Sequence, residues 1–380
     1  MNSSAHAKQT DVIVIGGGII GCSIAFHLQQ AGKRCIVFEQ GQIGNQASKA
    51  GAGMLGAQVE MANPGPIYDL GIQSRGMFPE LSGILYEISG VDIEYQKQGI
   101  LRLATSEDEV KTLQNRKQWQ EASGQTAEWL TPAELQAMTS GAVFSAYGAL
   151  YLPNDHQVRN PPLVRAFASS AKKLGASFYE HTEVTGFLYE QDRIIGVATQ
   201  DQTWYAEYIV IAGGAFSSVL GRKLELDIPV FPVKGQAILA NGTMPVPYTV
   251  FTHGCYLVPK LTDQVYIGAT EQPNQKDLTP SLGSIAKLSN RAAELVPVAE
   301  SFSYGKSIIG LRPGSVDSLP ILGEATQYKG LFLATGHFRN GVLLSPITGK
   351  IITDLITKGI SDVDITPFLL ERFQEKAVIS

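Results

Sequence analysis

The sequence predicts an α/β fold, α+β over the whole chain, in which a Rossmann-type dinucleotide-binding unit shares the chain with an antiparallel sheet. Three observations predict it. The first is a strand, glycine turn, helix and strand at residues 11–40, DVIVIGGGIIGCSIAFHLQQAGKRCIVFEQ. The second is the run 175–218, which ends in a further apolar strand, YIVIAGG. The third is residues 330–356, where the apolar GLFLAT meets a glycine and then a helical pattern. Between the last two, residues 228–270 alternate and carry turn signals, as an antiparallel sheet does.

In the first unit, DVIVI is a short β-branched run and reads as a buried strand. Gly16, Gly18 and Gly21 follow as G-x-G-x-x-G. Gly16 permits the tight turn, Gly18 lets backbone approach a pyrophosphate, and Gly21 lets the helix pack on the strand. The helix, Ile20 to Ala31, presents free N–H groups and positive potential to a phosphate. RCIVFE is the second strand, and its Glu39 stands where a carboxylate accepts from ribose hydroxyls. An acid there argues against a 2′-phosphate and hence against NADP. Strands that rejoin the sheet after a long insertion, as YIVIAGG does, fit an FAD domain better than a plain NAD domain. In the third segment a helix is expected from near Asn340 to Lys358, its N-terminus aimed at a ligand and suited to stabilising negative charge on a reduced flavin ring. Residues 107–137 have helical spacing.

Composition narrows the function classes. At 380 residues the chain suits roughly two to three units. Glycine, at 39 residues, exceeds the ~7% of average usage and implies many tight turns. A net charge of −5 gives no reason to expect nucleic acid. Cys22, Cys35 and Cys255 form no C-x-x-C pair, and the histidines show no metal spacing. No disulfide framework or metal site is therefore expected. The stretch MNSSAHAKQT reads as a loose polar tail rather than a secretory segment, and no apolar run approaches the ~18 residues of a membrane span. A soluble cytoplasmic protein without a membrane anchor is expected.

With these elements in hand, the chain resembles a known family. The glycine motif, VIAGG, GLRPG (310–314) and GHFRNG (336–341) are similar to the FAD-dependent D-amino-acid oxidase superfamily. AGAGMLGA (50–57), CYLVP (255–259) and GHFRNG resemble its glycine oxidase branch, flavoenzymes linked to making the thiamine thiazole. The resemblance runs from Asp11 to about Ile356. It implies a discontinuous FAD-binding domain, 1–85, 145–225 and 310–380, and a substrate-binding domain, 86–144 and 226–309. To Gly16, Gly18, Gly21 and Glu39 it adds as cofactor contacts Ile19, Ile20, Gln40, Ala47, Ser48, Ala52, Gly53, Met54, Val184, His337, Phe338, Arg339, Asn340, Gly341, Val342 and Leu343. A homotetramer is implied as well.

The resemblance also gives the arginine of GLRPG a task. Arg312 lies between Gly310 and a Pro313-Gly314 turn in an otherwise apolar stretch whose single acid is Asp317. Its structural reading is an ion pair with Asp317. Its functional reading, implied by the resemblance, is a bidentate grip on the substrate carboxylate. Tyr256 is implied to share that carboxylate, Arg339 to stand at the flavin edge and site mouth, and Met54 to line the pocket. The implied reaction is oxidation of glycine, sarcosine or a small D-amino acid. Hydride passes from the α-carbon to flavin N5, water hydrolyses the imine, and dioxygen becomes hydrogen peroxide. His337 is expected to supply backbone or edge contacts rather than a general base. Two positions depart from the branch. Gly254 replaces a histidine of some glycine oxidases, and His253, read on the same strand, faces away from Tyr256. Glu271 replaces a methionine and alters substrate preference if it lines the pocket. With Cys22 and Cys35 read as core and Cys255 facing away from Tyr256, FAD is expected to be noncovalent. The alternatives are an FAD dehydrogenase that passes electrons to a quinone and a noncatalytic FAD-binding subunit.

Overall fold

A computed structural model describes residues 8–373. Two large sheets organise it. The first has the order Ile321–Glu324, Leu331–Thr335, Thr203–Ile211, Lys8–Ile15, Cys35–Phe38, Ser177–Tyr179, with Arg193–Thr199 and Val184–Glu190 attached at Thr203–Ile211. Its centre is parallel: Lys8–Ile15 runs with both Thr203–Ile211 and Cys35–Phe38. Both faces of this parallel sheet are covered, so its strands are continuously apolar, as in CIVF, whose four residues are all buried. On one face pack the helices Ile19–Gln30, Asn160–Lys173, Ser345–Lys358 and the long Pro66–Ser89.

The second sheet has the order Gln272–Pro273, Val230–Asn241, Gln264–Gly268, Cys255–Lys260, Thr249–Thr252, Ile100–Ala104, Gly148–Leu152, Glu128–Leu130, and Ser303–Ser315 pairs with Val230–Asn241. It is antiparallel except where Thr249–Thr252 runs parallel to Ile100–Ala104. The strand Gly148–Leu152 belongs to this second sheet, beyond the boundary expected at 145, and Pro66–Ser89 continues through the boundary expected at 85.

Several local expectations are corrected. The tail expectation for residues 1–7 lies outside the described residues, whereas Lys8–Thr10 extend the first strand by pairing with Trp204–Ala206. The helix expected from Asn340 begins at Ser345, because Pro346 has no N–H to lose and favours a first turn. Pro313 and Gly314 form no turn; they stay in the strand, opposite Pro232 and Phe231. His253 is not on a strand. It and Gly254 are the two-residue loop between Thr249–Thr252 and Cys255–Lys260, and Gly254 takes φ +83°, a conformation that glycine adopts without strain. Among the described residues no helix is long and apolar enough to cross a membrane.

Candidate active site

Two adjoining cavities share Gly18, Ala47, Ser48, Ala212 and Gly214 as walls and form one groove along the first sheet's carboxyl edge. Its near end is the glycine motif. Gly18 is the N-cap of the helix Ile19–Gln30, and no side chain of its own closes the helix start. Glu39 accepts from the amides of Gly17 and Gly41, both at 2.8 Å, one through each carboxylate oxygen. Each oxygen keeps a lone pair for a further donor. Gln40 and Val184 complete this end. The first amide of the helix, that of Ile19, donates to the Ser48 hydroxyl at 2.9 Å. A helix start opening on the groove, a carboxylate on the neighbouring strand and a groove that continues past both are what a dinucleotide requires. Gly21 does not line the groove. It lies where a Cβ would collide with the carbonyl of Gly16, so it serves helix-on-strand packing. Leu343 also lies outside the groove, buried, with its carbonyl accepting from Ser74 Oγ at 2.6 Å.

The far end is assembled from distant segments. Met54, Ala52 and Gly53 supply one wall; His337 to Val342 supply another; the second sheet supplies Tyr256, Tyr266 and Arg312. Arg312 sits opposite Val233, and its guanidinium lies over Gly235, where a Cβ would strike it. One of its nitrogens donates to the Thr270 carbonyl at 3.1 Å. Arg312 makes no ion pair among the described residues. Asp317, its expected alternative partner, is held by Arg372 at 2.8 and 3.2 Å. Tyr256 is 6% exposed, with its hydroxyl at Arg312. Its ring stacks between Phe251 at 5.8 Å and Tyr266 at 6.2 Å, on strands whose register brings Tyr256 opposite Phe251 and Gly268. Burial pushes its hydroxyl above the ordinary tyrosine range although Arg312 and Arg339 pull the other way, so it remains a neutral donor. Cys255, its neighbour, points into a different core.

Arg339 lines this end but is not free. Its Nε and one terminal nitrogen donate to the two carboxylate oxygens of Glu60 at 2.9 and 3.0 Å, and the other nitrogen lies 3.5 Å from Glu271. Burial alone would raise the Glu60 carboxyl, but Arg339, with Arg102 and Arg312 behind it, holds it below the usual range. Glu60 keeps Arg339 firmly protonated in return. Glu271 does not line the cavity; half exposed, it sits on the outer side of Arg339. His337 is 3% exposed, its Nε2 3.0 Å from Thr348 Oγ1, and burial lowers its pKa to about 3. It is a neutral wall residue.

Sequence reasoning missed Glu60 and Tyr266. Glu60 is the single acid in the stretch 50–61, the same signal that singled out Arg312. Tyr266 was findable once the hairpin register was known, because it faces the same side as Tyr256 and donates to the Ala50 carbonyl. Glu60 is also held from behind. The Asp155 carboxylate accepts from the amides of Gln58 and Val59, and Arg102 and Arg116 both donate to the Val59 carbonyl, at 2.6 and 2.9 Å.

A parallel sheet with a helix-start anion site and a groove running on to a guanidinium and a phenol defines a flavin-linked α/β oxidoreductase. The chain belongs to the FAD-dependent oxidoreductase (DAO) family, whose model matches residues 11–355. It is an enzyme of that family and binds FAD. It is 40% identical over 365 residues to the glycine oxidase of Geobacillus kaustophilus strain HTA426, covering 95% of this chain and 97% of that one. It is 37% identical over 350 residues to the glycine oxidase of Bacillus licheniformis, covering 92% and 93%. The crystal structure of glycine oxidase from Geobacillus kaustophilus superposes with a TM-score of 0.92, covering 96% of this chain and 99% of that chain at 40% identity.

Proposed function

We propose that this enzyme oxidises glycine and other small amino acids with one carboxylate, among them sarcosine and small D-amino acids, to the oxo acid, ammonia and hydrogen peroxide. One observation carries the reading: Arg312, beside the Tyr256 hydroxyl, offers the groove a guanidinium with no carboxylate of its own. The first sheet and its helices hold FAD, and the second sheet holds the substrate. When bound, FAD accepts the hydride from the substrate α-carbon and passes the electrons on to dioxygen.

Arg312 takes the substrate carboxylate in two parallel charge-assisted hydrogen bonds, and neutral Tyr256 donates a third. The grip fixes the α-carbon against the wall made by Met54 and residues 337–342, where orientation decides the rate. The stacked rings of Tyr256, Tyr266 and Phe251 exclude water from that contact. Desolvation against the stacked rings disfavours a charged amine, so the substrate reacts with its amine neutral, the form that gives up hydride. FAD is held noncovalently. Cys22, Cys35 and Cys255 are all buried, none lines the groove, and burial raises all three thiols, Cys35 to about 11. Acid denaturation should release all the flavin. Glycine imine made here suits supply of the thiamine thiazole, and assembly as a tetramer accompanies the reading.

Product accounting with glycine in air tests it. One ammonia and one peroxide should appear for each dioxygen consumed. Glycine oxidation that reduces a quinone and leaves dioxygen untouched would overturn the acceptor, and no oxidation of any of these amines would overturn the reading.

A further inference from the structure

Two arginines face the far end of the groove, and they differ in one respect. Arg312 has no acid. Arg339 has two: Glu60, through a bidentate pair at 2.9 and 3.0 Å, and Glu271, at 3.5 Å. The partners are unequal. The Glu60 side chain is 15% exposed and its loop is fixed at Gln58 and Val59 by Asp155, Arg102 and Arg116. The Glu271 side chain is 46% exposed, and such a pair is largely screened by solvent. Glu60 is therefore the partner that decides what Arg339 presents to the cavity.

We propose that Glu60 restricts the site to amines bearing a single carboxylate, by satisfying Arg339 so that Arg312 alone can bind an anion. The inference rests on the amino-acid reading above and names its substrate class. A substrate whose carboxylate sits on Arg312 and which carries a second carboxylate toward the mouth meets a guanidinium already doubly bonded, with the Glu60 and Glu271 charges beside it. Burying that second carboxylate unpaired is heavily unfavourable. A methyl group in the same place, as in sarcosine or D-alanine, brings no charge and is tolerated. Specificity here comes from an unfavourable contact with the wrong ligand rather than an additional contact with the right one. The loop clamp matters because Glu60 must hold its position against a competing carboxylate.

The test follows the visible band of the FAD-loaded enzyme during titration with glycolate, which has one carboxylate and no amine, and with malonate and succinate, which have two. The wild type should bind glycolate at least tenfold more tightly than either dicarboxylate. Glu60→Gln keeps the size and removes the charge; it should tighten malonate or succinate at least tenfold while glycolate still binds. Adding Arg339→Gln should abolish that gain, and Glu271→Gln alone should change dicarboxylate binding less than threefold. A Glu60→Gln enzyme that holds FAD and binds glycolate but gains nothing for dicarboxylates overturns the proposal. Wild-type turnover reads the same claim without a variant: iminodiacetate, which is sarcosine carrying a second carboxylate, should be oxidised far more slowly than sarcosine, and rates within tenfold overturn it. Failure of glycolate to bind the wild type at all would instead strike the amino-acid reading itself.

Discussion

At its near end the groups of the groove that suit phosphate and ribose, the glycine turn at Gly16 and Gly18 and the Glu39 carboxylate, come from one strand–helix–strand unit, with Val184, Ala212 and Gly214 completing the wall. At its far end the walls come from Met54, Glu60, Tyr256, Tyr266, Arg312 and Arg339, on five separate segments brought together by two sheets. The near end binds through helix geometry that any dinucleotide can use, so its requirements are mostly for the absence of side chains. The far end binds through charged and phenolic groups whose partners decide their function. An arginine there means one thing with its acid elsewhere, as for Arg312, and another with its acid attached, as for Arg339. The two ends should therefore fail separately when altered.

The largest effect is expected from Arg312→Met. Losing two charge-assisted hydrogen bonds should lower kcat/KM for glycine by about 10³ while the FAD content stays at the wild-type level; loss of flavin along with activity would erase the distinction between the ends. Gly21→Ala attacks the other end. Its Cβ has no room against the Gly16 carbonyl, so it should cost about 2 kcal/mol in denaturant unfolding and reduce flavin retention, whereas the surviving holoenzyme should keep its KM for glycine.

A comparable stability effect is expected from pH. Burial lowers the His337 pKa to about 3, against ~6.5 in the unfolded chain. Where the folded value is the lower one, the unfolded chain binds more protons in between. The contribution is thus complete above pH ~6.5 and is lost progressively as pH falls toward about 3, amounting to about 2 kcal/mol between pH 7 and pH 5. His337→Gln should flatten the fall of Tm over that interval; an unchanged slope would show that His337 protonates without penalty. The smallest effect is expected from Tyr256→Phe. One hydrogen bond to the substrate carboxylate is worth about tenfold in kcat/KM, with the stacking on Phe251 and Tyr266 retained and FAD affinity unaltered.

The same contrast explains what was legible in the sequence. The near end could be read because its chemistry is local: glycine spacing, two apolar strands and an acid at the end of the second specify it without knowledge of the rest. The two sheets were legible from apolar and alternating runs. The start of the helix at Ser345 was misplaced because Asn340, standing just before an apolar run, resembles a helix cap, and only Pro346 marks the first turn. His253 was misplaced because a two-residue loop leaves little trace beyond Gly254. Glu60 carried a signal, a lone acid among apolar neighbours, but no spacing rule links residue 60 to residue 339. Their pairing exists only because the two sheets place those loops side by side. Arg312 and Tyr256 were identified through family motifs, and the register of four strands, from Ser303–Ser315 through Val230–Asn241 and Gln264–Gly268 to Cys255–Lys260, supplies the physical reason that they meet.

The most direct measurement is anaerobic mixing of the FAD-loaded enzyme with glycine, followed through the visible flavin band, with sarcosine and D-alanine as parallel samples. If Arg312 and Tyr256 present an amino acid's α-carbon to the flavin, glycine should bleach the band, and air should restore it with release of peroxide. A protein that stays yellow with all three amines would contradict the account.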